Sequence, residues 1–246
     1  MPPDDALNDV LAYCGAAVAS LRRSFAPSCA VCAVRRGDPV CDGCSSDFLA
    51  ETAPRCETCA NQLARAGSLR RCGRCLGRPP AFDATVVLGD YEPPLDAMIA
   101  ALKFGARLEL GRAFGVLLAR RFAGRAAPGG AAHCVLGLPL AFERQRERGF
   151  NQSDEIARAI GRRLQLPSRS GGLLRVRHGP PQQSLRLEDR RRNVRGVFAA
   201  RGRFDGRHVL LVDDVLTTGS TLDEAAAALK RAGAAQVTNL VVARTR

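Results

Sequence analysis

Val209-Leu210-Leu211-Val212-Asp213-Asp214-Val215-Leu216-Thr217-Thr218-Gly219-Ser220-Thr221 is the stretch that decides how this 246-residue chain folds. Four consecutive apolar residues mark a strand buried on both faces, as in a parallel sheet. The strand delivers two adjacent carboxylates at its carboxyl end, and a loop of small hydroxyl residues and glycine then opens a helix. Backbone N–H groups at such a helix start, joined by Thr and Ser hydroxyls, form a cup for a phosphate. Gly219 lets the backbone approach that phosphate closely. The two acids would repel a phosphate; they suit the hydroxyls of a ribose attached to it, or a magnesium ion held through water.

Working outward, residues 222–232 read as a helix closed by Gly233, and 237–243 as another buried strand. Upstream, the pattern predicts strands over 85–91 and 134–138, the latter ending at Pro139, and helices over 95–104, 108–122 and 153–164. This alternation implies a parallel α/β sheet with right-handed crossovers and ligands at the carboxyl ends of the strands.

The chain is 46% hydrophobic and 25% charged, enough for at least one full core, so neither a disordered tail nor a disulfide mini-protein fits. No apolar run reaches the roughly 18 residues of a membrane span. The opening Met1-Pro2-Pro3-Asp4-Asp5 puts acid where a secretory leader carries base. A cytoplasmic protein is therefore expected. Residues 1–26 read as a short amphipathic helix through Leu7, Val10, Leu11, Cys14, Val18 and Leu21.

Net charge is +13. Residues 139–203 carry sixteen Arg against six acids, which predicts an anionic ligand there, either phosphates of a small molecule or a nucleic-acid backbone.

Residues 27–80 form a different module. Four C-x-x-C pairs, Cys29/Cys32, Cys41/Cys44, Cys56/Cys59 and Cys72/Cys75, replace apolar periodicity. Two such pairs supply the four thiolates of a structural zinc site, so eight cysteines imply two zinc ions. Sequential pairing is the simplest arrangement and interleaved pairing the alternative. Cys14 and Cys134 lack partners at ligand spacing and read as small buried hydrophobes. His133, His178 and His208 form no ligand set.

The 209–221 stretch resembles the signature of type I phosphoribosyltransferases for 5-phosphoribosyl 1-diphosphate (PRPP). That resemblance implies that Asp213 and Asp214 bind the ribose hydroxyls as the catalytic acids. Thr217, Thr218, Gly219, Ser220 and Thr221 would take the 5-phosphate, with Mg2+ accompanying PRPP.

Two further segments narrow the resemblance to the ComF (competence protein F) family. They are Pro139-Leu140 with Arg144, Arg146, Arg148, Gly149, Phe150, Asn151 and Gln152, and the set Arg177, Gln182, Leu185, Arg190, Asn193, Val194, Gly196 and Phe198. Gly137 and Gly179 depart from the family pattern, which has Pro and Thr there. The resemblance implies a double zinc ribbon (27–80) joined to a phosphoribosyltransferase-like α/β domain (81–246), and a role in natural transformation, the uptake of DNA. In this sequence Arg144, Arg146 and Arg148 would meet the pyrophosphate or form a solvated basic face, and Lys103 would meet a phosphate or be an ordinary helix-end charge. The resulting expectation is a phosphoribosyl transfer to an unnamed acceptor. The alternative is a non-catalytic PRPP or nucleotide sensor that binds single-stranded DNA or uptake proteins. With no Trp and two Tyr, stacking platforms for bases are few; Phe150 and Phe198 are candidates.

Overall fold

The computed structural model describes residues 28–34, 40–50, 53–64, 70–125, 131–176 and 196–245. The expected helix at 1–26 and the family-like stretch 177–195, with Gly179 and His178, lie outside them. The chain divides into two compact units, Met1–Asp47 and Phe48–Arg246. In the first, Cys44 is carried by helix α1 (Asp42–Leu49).

The second unit is built on apolar strands too rich in Val and Leu to face water. β1 (Ala84–Asp90), β2 (Cys134–Gly137), β5 (His208–Leu216) and β6 (Gln236–Arg244) form one all-parallel sheet in the order β1-β6-β5-β2. Val209 to Val212 are wholly buried, as a central parallel strand demands. β5 continues past them: Asp213 pairs with Val241 and Val215 with Ala243. The two acids therefore sit in a hydrogen-bonded strand, where their backbone cannot drift.

The helices are α2 (Gly73–Gly77), α3 (Leu95–Phe104), α4 (Leu108–Ala123), α5 (Phe142–Arg148), α6 (Gln152–Leu164) and α7 (Ser220–Arg231). α4 packs on α6, burying Phe114, Leu118, Ile156 and Ile160 completely. Three elements carry no readable sequence pattern. α5 buries none of its residues, so it has no apolar stripe. β3 (Leu173–Arg175) and β4 (Phe198–Ala200) pair antiparallel over three residues each, too short for alternation to show.

The two compact units part at 47/48, within residues 27–80. Cys56, Cys59 and Cys75 share a core with Phe82, Leu211, Leu216, Leu222 and Val241. Thr85 on β1 donates its hydroxyl to the Thr58 carbonyl at 2.6 Å, and Arg55 pairs with Asp90 at 2.9 Å.

Gly137 ends β2 where the family pattern has proline. A Cβ there would stand 2.4 Å from Asp154 Oδ1 and 2.7 Å from the Asp154 amide nitrogen, so α6 begins hard against this strand. Gly137→Ala should lower stability by about 1–3 kcal/mol through overpacking, read as an earlier midpoint in denaturant unfolding.

Candidate functional site

α6 starts at an Asn cap: Asn151 accepts from the Ser153 N–H at 3.0 Å and donates its amide to the Leu138 carbonyl at 3.1 Å. That fixes the first turn over the end of the sheet. Gln152 then donates to Asp214 Oδ2 at 3.0 Å, and Ser153 Oγ to Asp213 Oδ1 at 3.2 Å. Lys103, in the last turn of α3, meets the same Asp214 oxygen at 2.8 Å.

Desolvation, with Asp214 beside it, pushes the Asp213 carboxyl up to about 7, against the pull of the Asp214 amide, Lys103 and Ser153. These contacts occupy Asp213 Oδ1 and Asp214 Oδ2. Oδ2 of Asp213, which is half-buried, and Oδ1 of the buried Asp214 are unclaimed among the described residues. Carboxylate oxygens left free on two neighbouring acids suit ribose hydroxyls or a hydrated magnesium ion.

Of the Arg144, Arg146, Arg148 row, Arg148 is the one tied to the acids, through Gln152. It is half-buried, stacks on Phe104 with 5.2 Å to the ring centroid, and donates to Gln152 Oε1 at 3.0 Å. Burial lowers its pKa and Asp214 draws it back up, while its buried Nε has no hydrogen-bond partner. Arg146 stacks outside on the exposed Phe142, and Arg144 is exposed. Phe198 is core at 3% exposure, which removes it as a stacking platform. Phe104 and Phe142 are the exposed aromatics that carry an arginine over the ring, and sequence reading passed over both because neither stands out by pattern.

The Thr217–Thr221 loop turns through Gly219 at φ +82° into α7. A glycine cap offers no side-chain oxygen; Thr218 Oγ1 accepts the Ser220 N–H at 3.3 Å, which leaves the N–H groups of Thr221 and Leu222 for a ligand. Thr218 and Ser220 bond each other through their hydroxyls at 3.0 Å. Asp223, an acid in the first turn that would oppose an anion, is engaged by the Ala81 N–H at 2.6 Å.

A cleft of about 310 Å³ lies on the other side of the α6 start, among Pro139, Leu140, Phe142, Asp154, Leu173 and Arg175. Burial raises the Asp154 pKa against Arg158 and Asn151. Burial likewise lowers that of Arg175, whose Nε has no partner.

The cysteines group sequentially: the sulfurs of Cys29, Cys32, Cys41 and Cys44 lie within 4.8 Å of one another, as do those of Cys56, Cys59, Cys72 and Cys75. Burial pushes the Cys29 thiol up, but the N–H groups of Cys32, Cys41 and Val31 outweigh it and bring it to about 6. Cys56 is likewise brought to about 7, chiefly by the N–H groups of Cys59, Cys72 and Thr58. Burial and the neighbouring cysteines hold Cys44 up at about 12.

Beside the second cluster, Arg244 is 6% exposed with Nε and Nη1 unpartnered. Burial lowers its pKa, and Cys59, Cys72 and Cys75 draw it back up. A buried cation against this cysteine cluster fits a centre of net negative charge, such as four thiolates around a zinc ion. Cys134 is buried and unpaired. His133 and His208 bond each other, Nδ1 accepting a backbone N–H at 3.1 Å, and join no metal-ligand group among the described residues.

The phosphoribosyl transferase domain family matches residues 111–246, which hold both the acid pair and the loop. Competence protein F of Haemophilus influenzae is 33% identical over 203 residues, covering 80% of this chain and 87% of that protein. The chain belongs to the ComF family. DNA utilization protein YhgH of Escherichia coli O157:H7 is 39% identical over 180 residues, 71% of this chain and 78% of the relative. A solved glutamine PRPP amidotransferase from B. subtilis matches 53% of the chain and 25% of its own length, at 25% identity and a TM-score of 0.37. No described helix is long and apolar enough to cross a membrane.

Two measurements check this geometry. Native mass spectrometry should find two zinc ions per chain, and Cys29→Ser with Cys32→Ser should leave one. Because Asp213 binds its proton more tightly folded than unfolded, the native state holds more protons between about pH 4 and 7 and loses stability as pH rises through that window. Asp213→Asn should flatten that slope in thermal melts taken across the same range.

Proposed function

We propose that this ComF-family chain binds PRPP with magnesium and transfers its phosphoribosyl group to an acceptor, in the service of DNA uptake or utilization. The observation that carries the reading is the placing of two carboxylates one loop before a glycine-capped helix start. An anion cup next to acids suits a ligand that is phosphate at one end and polyhydroxylated beyond it. The Thr217–Thr221 loop would hold the 5-phosphate, and Asp213 and Asp214 the ribose hydroxyls. Asp213 and Asp214 are also the residues that would hold magnesium through water, and the ion would supply charge neutralisation for the pyrophosphate leaving group.

In the transfer, an acceptor nitrogen forms a bond to C1 of the ribose as the C1–O bond to pyrophosphate breaks, and the acceptor gives up its proton. The carboxylates stabilise the positive charge that builds on the sugar. Arg148, with Arg144 nearby, is the cation best set to meet the pyrophosphate, because a guanidinium fork matches phosphate oxygens. The cleft beside Asp154 and Arg175 is where we place the acceptor: Pro139, Leu140 and Leu173 would pack against a ring, and Asp154 and Arg175 would read its edge.

A second reading has support in the exposed Phe104 and Phe142, each with an Arg over its ring. Single-stranded DNA could stack its bases there while the Arg-rich α5 meets its phosphates. Such binding would weaken steeply with salt.

Calorimetry with PRPP and Mg2+ tests the first reading. Asp213→Asn with Asp214→Asn should weaken PRPP binding about 100-fold, the loss of two charged hydrogen-bonding partners. Inorganic phosphate should bind no worse, since two repelling charges are gone. Unchanged PRPP affinity would sink the assignment. Base-dependent release of pyrophosphate across a panel of free bases would establish transfer, and binding without release for any of them would favour a sensor.

A further inference from the structure

The second cysteine cluster reaches the phosphate loop directly. Arg74 lies inside the Cys72-Gly73-Arg74-Cys75 knuckle, between two sulfurs of the same four-cysteine group. Its Nη2 donates to the Thr218 carbonyl at 3.0 Å. A Cβ built on Gly219 would stand 3.7 Å from that nitrogen and 3.9 Å from Phe82 Cζ. Ala81, six residues past Cys75, binds the Asp223 carboxylate in the first turn of α7. Two hydrogen bonds from one short segment, with Phe82 close by Gly219, thus brace the loop and the helix it opens.

We infer that Arg74 is a positioning residue for the phosphate cup, and that metal in the second cysteine cluster is thereby coupled to anion binding in the Thr217–Thr221 loop. A trans peptide is planar, so its C=O and N–H point in opposite directions. Arg74 holds the Thr218 carbonyl on the outer side of the loop, which turns the Gly219 N–H of the same peptide inward. A charged donor on the carbonyl also polarises the peptide, making that N–H a better partner for an anion. Without the arginine, a loop whose turn residue is glycine has other peptide orientations open to it, and the cup must be ordered anew for each ligand. Both neighbours of the Gly73-Arg74 pair are cysteines of one cluster, so a bound ion fixes the arginine from both sides. The coupling is reciprocal: what steadies the knuckle favours the anion, and the anion favours the steadied knuckle.

This inference rests on the loop being an anion site, and the test separates the two. The zinc-loaded full chain is titrated with ribose 5-phosphate and, separately, with magnesium pyrophosphate, which does not require the cup. Arg74→Ala should weaken ribose 5-phosphate about tenfold, Arg74→Lys should recover part of that, and magnesium pyrophosphate should bind both variants as it binds the wild type. Ribose 5-phosphate should also slow the loss of one zinc ion to a chelator in the wild type and not in Arg74→Ala. Equal ribose 5-phosphate affinity in wild type and Arg74→Ala, or an equal loss for both probes, overturns the role of Arg74. Absence of chelator protection in a wild type that binds the sugar phosphate overturns the coupling to the metal. A wild type that binds neither ribose 5-phosphate nor PRPP overturns the anion site itself.

Discussion

Two adjacent carboxylates at the end of a buried strand are a standing electrostatic problem, and the surroundings of Asp213 and Asp214 are arranged to meet it. Taken out of water side by side, they favour protonation of one of the pair, and Asp213 is the one pushed up, to about 7. Asp214 is held by a lysine from the end of α3 and an amide from the start of α6. Those two helices are therefore tied to β5 at their tips, and α6 also packs on it along its length. Arg148 completes the arrangement by bonding Gln152, so that a positive charge stands behind the amide that touches the acid.

The same strand hands over to the Thr217–Thr221 loop without a break, and here the support comes from the opposite direction in sequence. A loop of Thr, Gly and Ser has little apolar surface with which to hold its own shape. Phe82 and the second cysteine knuckle supply a wall against it. This explains why the compact units part at 47/48 and not at the last cysteine: Cys56, Cys59 and Cys75 are core residues of the α/β unit as well as candidate ligands.

The parallel sheet and its long helices were legible because their physics is periodic: 3.6 for α4 and α6, unbroken Val and Leu for β5. The two sets of four cysteines were legible from spacing, though their sequential grouping is settled only in three dimensions. The site was legible in part. Asp213 to Thr221 announce themselves because acids followed by a hydroxyl loop have no reason to follow a buried strand otherwise. Lys103 was legible as a charge near the right place, but not as the partner of Asp214, since that contact joins residues far apart in sequence. Choosing Arg148 from a row of three needed the ring of Phe104, which lies on another helix. Arg74 could not have been found at all from a pattern: inside a metal knuckle an arginine reads as an exposed spacer, and its target is a backbone carbonyl that no residue type betrays.

The first turn of α6 faces in two directions, and that has a consequence for how the two halves of a reaction would communicate. Gln152 and Ser153 touch the acids, while Asn151 and Asp154 line the cleft on the other side. Four consecutive residues cannot move independently, because Asn151 is bonded to Leu138 and Gly137 leaves no room behind Asp154. A group that shifts Asp154 in the cleft would bear on the same helical turn that carries the hydrogen bonds to Asp213 and Asp214. In a transferase, this would align the acceptor with the sugar only when both are seated. In a sensor, it would let occupation of the cleft be felt at the sugar-phosphate site. Either way the glycine at 137, the one departure from the family pattern among the described residues, is the position that makes the linkage stiff.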